Sequence, residues 1–180
     1  MSKGVLILVI VMVVLIICFG VFYLVTRPTY GNDLSGIQKA IEKNGGSGSA
    51  PTIIDRPDMA GNRYVGFMED NGTLGVAIFF SDGRGNFVYE NIHRQQGTTI
   101  AAFYEPFAVE VEGTHGVDIV VSKNPLLYRV ERYVDGVFES EKIVDTPNSA
   151  SVVAMEFHSL ETALNVELKY FDEKGNQITP

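Results

Sequence analysis

The chain lacks tryptophan altogether and has one cysteine, Cys18, among its 180 residues. Because no second thiol exists, no disulfide can form within one chain. Cys18 lies inside an uncharged apolar stretch, so the remaining sequence has no thiol for nucleophilic catalysis or metal binding. The chain therefore offers neither a disulfide framework nor a cysteine-based active site.

Histidine is nearly as scarce, with only His93, His115 and His158. No two of them stand at a metal-ligand spacing, and no His-Glu-x-x-His or Cys-x-x-Cys motif occurs. His115 lies in Glu-Gly-Thr-His-Gly, a sequence typical of a hairpin loop. The Gly-x-Ser stretch at 45–49 lacks the strand-to-helix turn of an activated serine. We expect no cofactor, no metal and no catalytic residues, and hence not an enzyme.

Charge is absent from one long stretch, Gly4–Val25, which also contains no Asn, Gln, Ser or Thr. As a helix it would extend about 33 Å, enough to cross a hydrocarbon core of roughly 30 Å. The residues before Arg27 do not form the small-x-small site of a cleaved secretory signal, which is the alternative. The sequence thus predicts a transmembrane anchor over residues 1–27 that contacts the lipid bilayer through residues 4–25.

The orientation of this anchor follows from the short and weakly basic N-terminus ahead of a large domain. Lys3 is the only charged side chain before the apolar stretch, and Arg27 follows it. The positive-inside rule separates these flanks only weakly. We expect a single-pass protein of the cell membrane, with a cytoplasmic N-terminus and an extracytoplasmic C-terminal domain.

Basic charge is sparse after the anchor. Residues 1–51 carry four Lys or Arg and two Asp or Glu. Residues 52–180 carry ten Lys or Arg and twenty Asp or Glu. An acidic domain does not bind nucleic acid through phosphate contacts, which need a basic face. The same charge permits a basic protein partner in the cell envelope, or serves solubility alone.

Residues 28–51 are predicted to form a short amphipathic helix and a tether. Asn32 or Asp33 can cap a helix over 33–43 that carries Leu34, Ile37 and Ile41 on one face. The Gly/Ser-rich run 45–51 that follows spans about 15 Å as a random coil. The helix is expected to contact the membrane surface, the folded domain or a partner.

From residue 52 onward the sequence alternates between short apolar strands and turn signals. Asn71-Gly72 and Asp135-Gly136 are the strongest hairpin signals, because these residues accept positive φ angles. We predict one mainly β domain over 52–180, an antiparallel β-sandwich or a strongly curved sheet. About ten strands are expected: 63–69, 73–80, 87–93, 98–104, 107–112, 117–122, 126–134, 137–144, 151–157 and 164–171, the last followed by a short strand near Ile178.

One acidic group stands out as a candidate partner-binding face. If Phe107–Glu112 pairs with Val117–Ser122, then Glu110, Glu112 and Asp118 share one surface. Like charges across strands cost stability, so such a cluster favours a basic partner. The alternative is that a basic residue of a neighbouring strand neutralises it, the candidates being Arg129, Arg132 and Lys142.

Two pairs of adjacent aromatic residues indicate either a second core layer or an exposed binding surface. In Phe79-Phe80 and Phe103-Tyr104 the two side chains must point to opposite faces of their strand. At least one of each pair therefore fills a second core layer or contacts a partner.

The N-terminus resembles that of type IV pilins and pseudopilins. The likeness rests on Lys3-Gly4, the apolar helix of 5–25, Pro28 and a β-rich head. It implies cleavage after Gly4 and assembly into a filament. Val9 occupies the position where that family carries an acidic residue.

Three functions are consistent with these features. The first is a membrane-anchored extracytoplasmic protein-binding or accessory module. The second is an inhibitor or immunity-type protein that neutralises a basic toxin or enzyme at the outer membrane face. The third is a pilin-like filament subunit.

Overall fold

The computed structural model describes residues 3–26, 28–45, 50–106, 114–159 and 165–180. These residues form two helices and twelve strands. The helices are α1 (Lys3–Thr26) and α2 (Leu34–Lys43). The strands are β1 (Thr52–Asp55), β2 (Asp58–Met59), β3 (Asn62–Met68), β4 (Leu74–Ser81), β5 (Phe87–Gln95), β6 (Ile100–Pro106), β7 (Thr114–Ser122), β8 (Arg129–Val134), β9 (Val137–Ile143), β10 (Ser151–Ser159), β11 (Val166–Phe171) and β12 (Gln177–Ile178).

Helix α1 covers the uncharged apolar stretch. Its side chains are described at Val5 and over residues 10–23, and nearly all of them are exposed. Ile16 is 67% exposed and Phe19 is 72% exposed. Counted over the described residues, no helix combines the length and the hydropathy that crossing a membrane requires.

The strands form three antiparallel sheets, which confirms the mainly β prediction and agrees with a β-sandwich. Sheet A has the order β1-β3-β4-β5, with β2 beside β3. Sheet B has the order β10-β7-β6, and sheet C has the order β12-β11-β8-β9. Most predicted strands are confirmed to within a few residues, but β1 and β2 were missed.

Three apolar clusters fix the stacking order as α2, sheet A, sheet B and sheet C. Between sheets A and B lie Tyr64, Leu74, Val76, Ile78, Ala101, Val117, Ile119, Val121 and Ala154. Between sheets B and C lie Ile100, Val120, Leu127, Val130, Val144, Val153, Met155 and Tyr170. Between α2 and sheet A lie Ile37, Ala40, Ile41, Val65, Phe67, Ala77 and Phe79. Sheets A and B are therefore covered on both faces.

This layering explains the adjacent aromatic pairs. Phe79 is fully buried under α2, whereas Phe80 points the other way and is 40% exposed. Phe103 packs against the core between sheets A and B. Tyr104 is 46% exposed and stacks on Phe157 on the opposite face of sheet B.

Helix α2 is confirmed, and it packs on the folded domain. The Asp33 carboxylate accepts a hydrogen bond from the Gly36 backbone N–H at 2.7 Å, which caps its N-terminus. Ile37 and Ile41 are completely buried against sheet A. The helix was expected to contact the membrane surface, the folded domain or a partner, and in the structure it packs on the folded domain.

The residues before α2 also join sheet A. We call Thr29–Asn32 the N-terminal strap. The Tyr89 N–H donates to the Thr29 carbonyl at 2.8 Å, and the Gly31 N–H donates to the Phe87 carbonyl at 2.7 Å. The strap thus lies along the outer edge of β5 in the manner of an additional short strand.

Side chains secure the strap further. Asn32 donates to the Asn86 side chain at 3.0 Å and accepts from the Phe87 N–H at 2.7 Å. Arg63 donates to the Gly31 carbonyl at 2.9 Å. A Cβ atom at Gly31 would lie 2.5 Å from the Phe79 ring. The strap therefore packs too closely on sheet A to accept a side chain at this position.

The predicted hairpin turns are present. Gly72 has φ 80°, and Asp135 and Gly136 have φ 51° and 80°. Leu126–Tyr128, predicted as strand, is not part of β8: Leu126 lies in a turn that the Leu127 N–H closes by donating to the Asn124 carbonyl at 3.2 Å. Pro125 has no backbone N–H to offer a strand ladder at this point. The first strand of this hairpin consequently begins at Arg129.

Two other loops share one hydrogen-bond pattern, Asp82–Asn86 before β5 and Asp172–Asn176 before β12. In the second loop, the Asp172 carboxylate accepts from the Lys174 N–H at 2.9 Å, and from the N–H and side-chain amide of Asn176 at 2.8 Å each. These bonds, led by that of the Asn176 side chain, lower the pKa of Asp172 from 3.8.

Replacing Asp172 by alanine is expected to have a pH-dependent effect. Because folding lowers the pKa of Asp172, its contribution is present above about pH 4 and lost as the pH falls through the lowered value. The melting temperature of Asp172→Ala should lie below that of the wild type at pH 7, and the gap should close as the pH falls below the ordinary pKa of an aspartate, about 4. Thermal melts at pH 7 and at successively lower pH values check this. A gap that does not change with pH would mean that the carboxylate charge has no part in the loop.

Candidate functional site

The predicted acidic face is represented in the described residues by Asp118 alone. Glu110, Glu112 and the predicted strand 107–112 lie outside them. In the described residues, β7 pairs with β6 on one side and with β10 on the other. Asp118 lies in this central strand, points toward sheet C and is 5% exposed.

Arg132 is the partner of Asp118 across the interface between sheets B and C. Its side chain is fully buried, and its Nε donates to the Asp118 carboxylate at 2.7 Å. Its Nη1 donates to Glu139 of β9, and its guanidinium lies 3.8 Å from the centre of the Phe157 ring. Within the described part of the chain, its Nη2 has no hydrogen-bond partner.

Burial raises the pKa values of two groups at this interface, Asp118 and Tyr170. Desolvation raises the pKa of Asp118 from 3.8, although the bond to Arg132 opposes the shift. Burial also raises the pKa of nearby Tyr170 to about 12, and the charge of Asp118 adds to this shift. Asp118 therefore pairs with Arg132 inside the domain, and a binding partner cannot contact its carboxylate unless sheets B and C separate.

A second polar group lies between sheets A and B. His93 of β5 stacks on Phe103, and its Nε2 lies 3.3 Å from a carboxylate oxygen of Glu105. Tyr64 is completely buried nearby, and burial is the main cause of its raised pKa, with Glu105 among the charges that add to it. Among the described residues, no three His, Cys, Asp or Glu side chains are grouped to hold a metal ion.

The register brings two other histidines to one position of sheet B. His115 lies in β7, which corrects its predicted place in a hairpin loop, and it pairs with His158 of β10. Sequence spacing could not reveal this pair, because the two residues come from strands that are far apart in the chain.

The outer face of sheet C is the surface that no described layer covers. The Tyr133 hydroxyl donates to Glu131 at 2.7 Å, and the Phe138 ring packs edge-on against Tyr133 at 5.8 Å. Arg129 lies over the Phe171 ring, and Lys169 lies over Tyr133 at 4.0 Å. Aromatic rings are thus held at fixed positions among charged groups.

This face ends at the exposed edge strand β9. Phe138 is 50% exposed, Ile143 is 41% exposed, and the adjacent Val137 is 69% exposed. The side chains of Glu141 and Glu167 are 45% and 59% exposed. The sequence signal was the run Val-Phe-Glu-Ser-Glu directly after the Asp-Gly turn, which places two apolar residues next to two carboxylates.

The arrangement can bind a chain or a surface through fixed aromatic side chains and accessible carboxylates. We call the group Arg129, Glu131, Tyr133, Phe138, Glu141, Ile143, Glu167, Lys169 and Phe171 the sheet C face. Its charged residues are two basic and three acidic, so a basic partner fits it better than an acidic one. The chain has no significant match to any protein-family model, any curated protein or any solved structure.

Proposed function

We propose that this protein is a membrane-anchored, extracytoplasmic protein-binding or accessory module that binds a basic partner through the sheet C face. The anchor is supported by the uncharged stretch Gly4–Val25 and by the exposure of its described side chains. Apolar side chains so exposed on every side of a helix are stable in lipid or against another apolar surface.

The observation that carries the binding proposal is the exposed ring of Phe138 beside accessible carboxylates. Aromatic side chains held in place by neighbours contribute strongly to protein interfaces, since little side-chain entropy is lost on binding. Glu141 and Glu167 on the same face are exposed and attract Lys or Arg from a partner. Among the described strands, none pairs with the outer edge of β9, so its backbone groups can bond an extended segment there.

The inhibitor or immunity role is a narrower form of the same proposal. It is favoured by the excess of acidic residues in the domain, twenty Asp or Glu against ten Lys or Arg. In that case the partner is a basic toxin or enzyme, and a deletion strain is more sensitive than its parent to competing cells. The pilin-like alternative requires processing after Gly4, so an intact mature N-terminus would exclude it.

A photo-crosslinking amino acid at position 138 tests the binding proposal in living cells. We expect a discrete adduct from position 138 and none from position 80, because Phe80 is similarly exposed but lies on sheet A. A Glu141→Lys, Glu167→Lys background should abolish the adduct by repelling a basic partner. Equal crosslinking from both positions, or none from position 138, would overturn the proposal.

A further inference from the structure

The covalent connection between α1 and the domain is very short. Helix α1 ends at Thr26, and the strap begins at Thr29. Three residue steps span at most about 10 Å of extended chain. The Gly/Ser-rich run 45–51, which was expected to tether the domain, follows α2, and the chain has already joined sheet A before this run.

The strap cannot act as a flexible continuation of this connection. Its backbone is bonded to β5 at both Thr29 and Gly31, and Asn32 is bonded to Asn86 and Phe87. Helix α2 follows directly, and a Cβ atom at Gly36 would lie 2.2 Å from the Tyr30 carbonyl oxygen. The strap, α2 and sheet A are therefore packed as one body.

We infer that the β5 edge of sheet A lies against the headgroup region of the bilayer. This inference rests on the proposed anchor, because the end of a membrane-spanning α1 fixes the position of the bilayer surface. The connection of about 10 Å then places Thr29, and with it Tyr89 and Glu90 of β5, at headgroup level.

The exposed side chains at this edge suit that position. Tyr30 follows α1 by four residues and is 42% exposed. A tyrosine ring is favoured at the membrane interface, since its ring contacts acyl chains while its hydroxyl stays hydrated. With the β5 edge facing the bilayer, the sheets stack side by side along the membrane surface, so sheet C lies about 20 Å from sheet A parallel to the bilayer and its outer face stays open to a partner.

Fluorescence quenching in vesicles tests this inference on the full chain. Single cysteines replace Glu90 or Asp55 in a Cys18→Ser background and carry the same fluorophore. Both positions are exposed, and Asp55 lies in β1 at the opposite edge of sheet A, three strand spacings or about 14 Å from β5. Phosphatidylcholine vesicles containing a headgroup-nitroxide lipid should quench the fluorescence at position 90 much more strongly than at position 55.

Two controls distinguish a failure of this inference from a failure of the proposed anchor. Flotation with vesicles reports on the anchor alone, and a chain that does not float would overturn both proposals. A flexible twenty-residue Gly/Ser insertion between Arg27 and Pro28 should preserve flotation and abolish the strong quenching at position 90. Equal quenching at positions 90 and 55, or quenching that the insertion does not change, in a chain that floats, would overturn the inference and leave the anchor standing.

Discussion

Removal of residues 1–51 is expected to unfold the domain, whereas removal of residues 1–27 should leave it folded. The longer truncation removes Ile37 and Ile41, whose burial contributes about 3–6 kcal/mol together. It also exposes Val65, Phe67 and Phe79 of sheet A, which α2 covers. A loss of this size is comparable with the whole stability of a typical domain, about 5–15 kcal/mol.

The measurement is a pair of urea titrations followed by circular dichroism. Residues 28–180 should give a cooperative transition, and residues 52–180 should be unfolded or aggregated without denaturant. An Ile41→Asp variant of 28–180 should also be strongly destabilised, while Glu42→Gln, on the exposed side of the same helix, should not. Equal midpoints for the two truncations would mean that α2 contributes nothing to the core.

Asp118→Ala is expected to destabilise the domain by about 3–5 kcal/mol. The substitution leaves the fully buried Arg132 guanidinium without its partner on sheet B, and Glu139 alone does not compensate. Glu167→Ala is the control, since it also removes a carboxylate but its pair with Lys169 lies at the surface. The control should cost at most about 1 kcal/mol.

Denaturant titrations of both variants and of a double variant, Asp118→Leu with Arg132→Met, measure these effects. Because the double variant removes both charges together, it should recover much of the stability that Asp118→Ala loses. A loss from Asp118→Ala no greater than that from Glu167→Ala would contradict the description of a buried ion pair.

Local patterns predicted most of the strands, because each strand is short and bounded by its own turn residues. Asn71-Gly72 and Asp135-Gly136 accept positive φ angles at low cost, so the hairpins around them could be assigned from the sequence alone. Strand β1 was missed because Thr52–Asp55 is only four residues long and follows a glycine-rich run. Its pairing with β3 is a tertiary contact that no local pattern reports.

The role of Asp118 could not be predicted, since alternation along a strand does not say which faces are covered. Asp118 alternates with Val117 and Ile119 as a solvent-facing residue would. Sheet C covers that face, and Arg132 of β8 supplies the balancing charge. The sequence did include Arg132 among the candidates for neutralisation, but the stacking of three sheets was needed to select it.

The point at which the chain joins the domain was also inaccessible to sequence reasoning. A Gly/Ser run after an apolar helix is typical of a tether between an anchor and a domain. Here the chain joins sheet A earlier, through hydrogen bonds of Thr29 and Gly31 that depend on the free edge of β5. A sequence pattern does not show which strand has a free edge.

Amide hydrogen exchange on the full chain tests most directly whether the strap and α2 belong to the folded domain. The Gly31 and Ile37 amides donate to Phe87 and Asp33, and the Tyr89 amide donates to Thr29. We predict that these three amides exchange slowly, and that their protection is lost together with that of the sheet A core at Val65. Exchange of Gly31, Ile37 and Tyr89 at the rate of an unstructured peptide, while Val65 remains protected, would contradict the account.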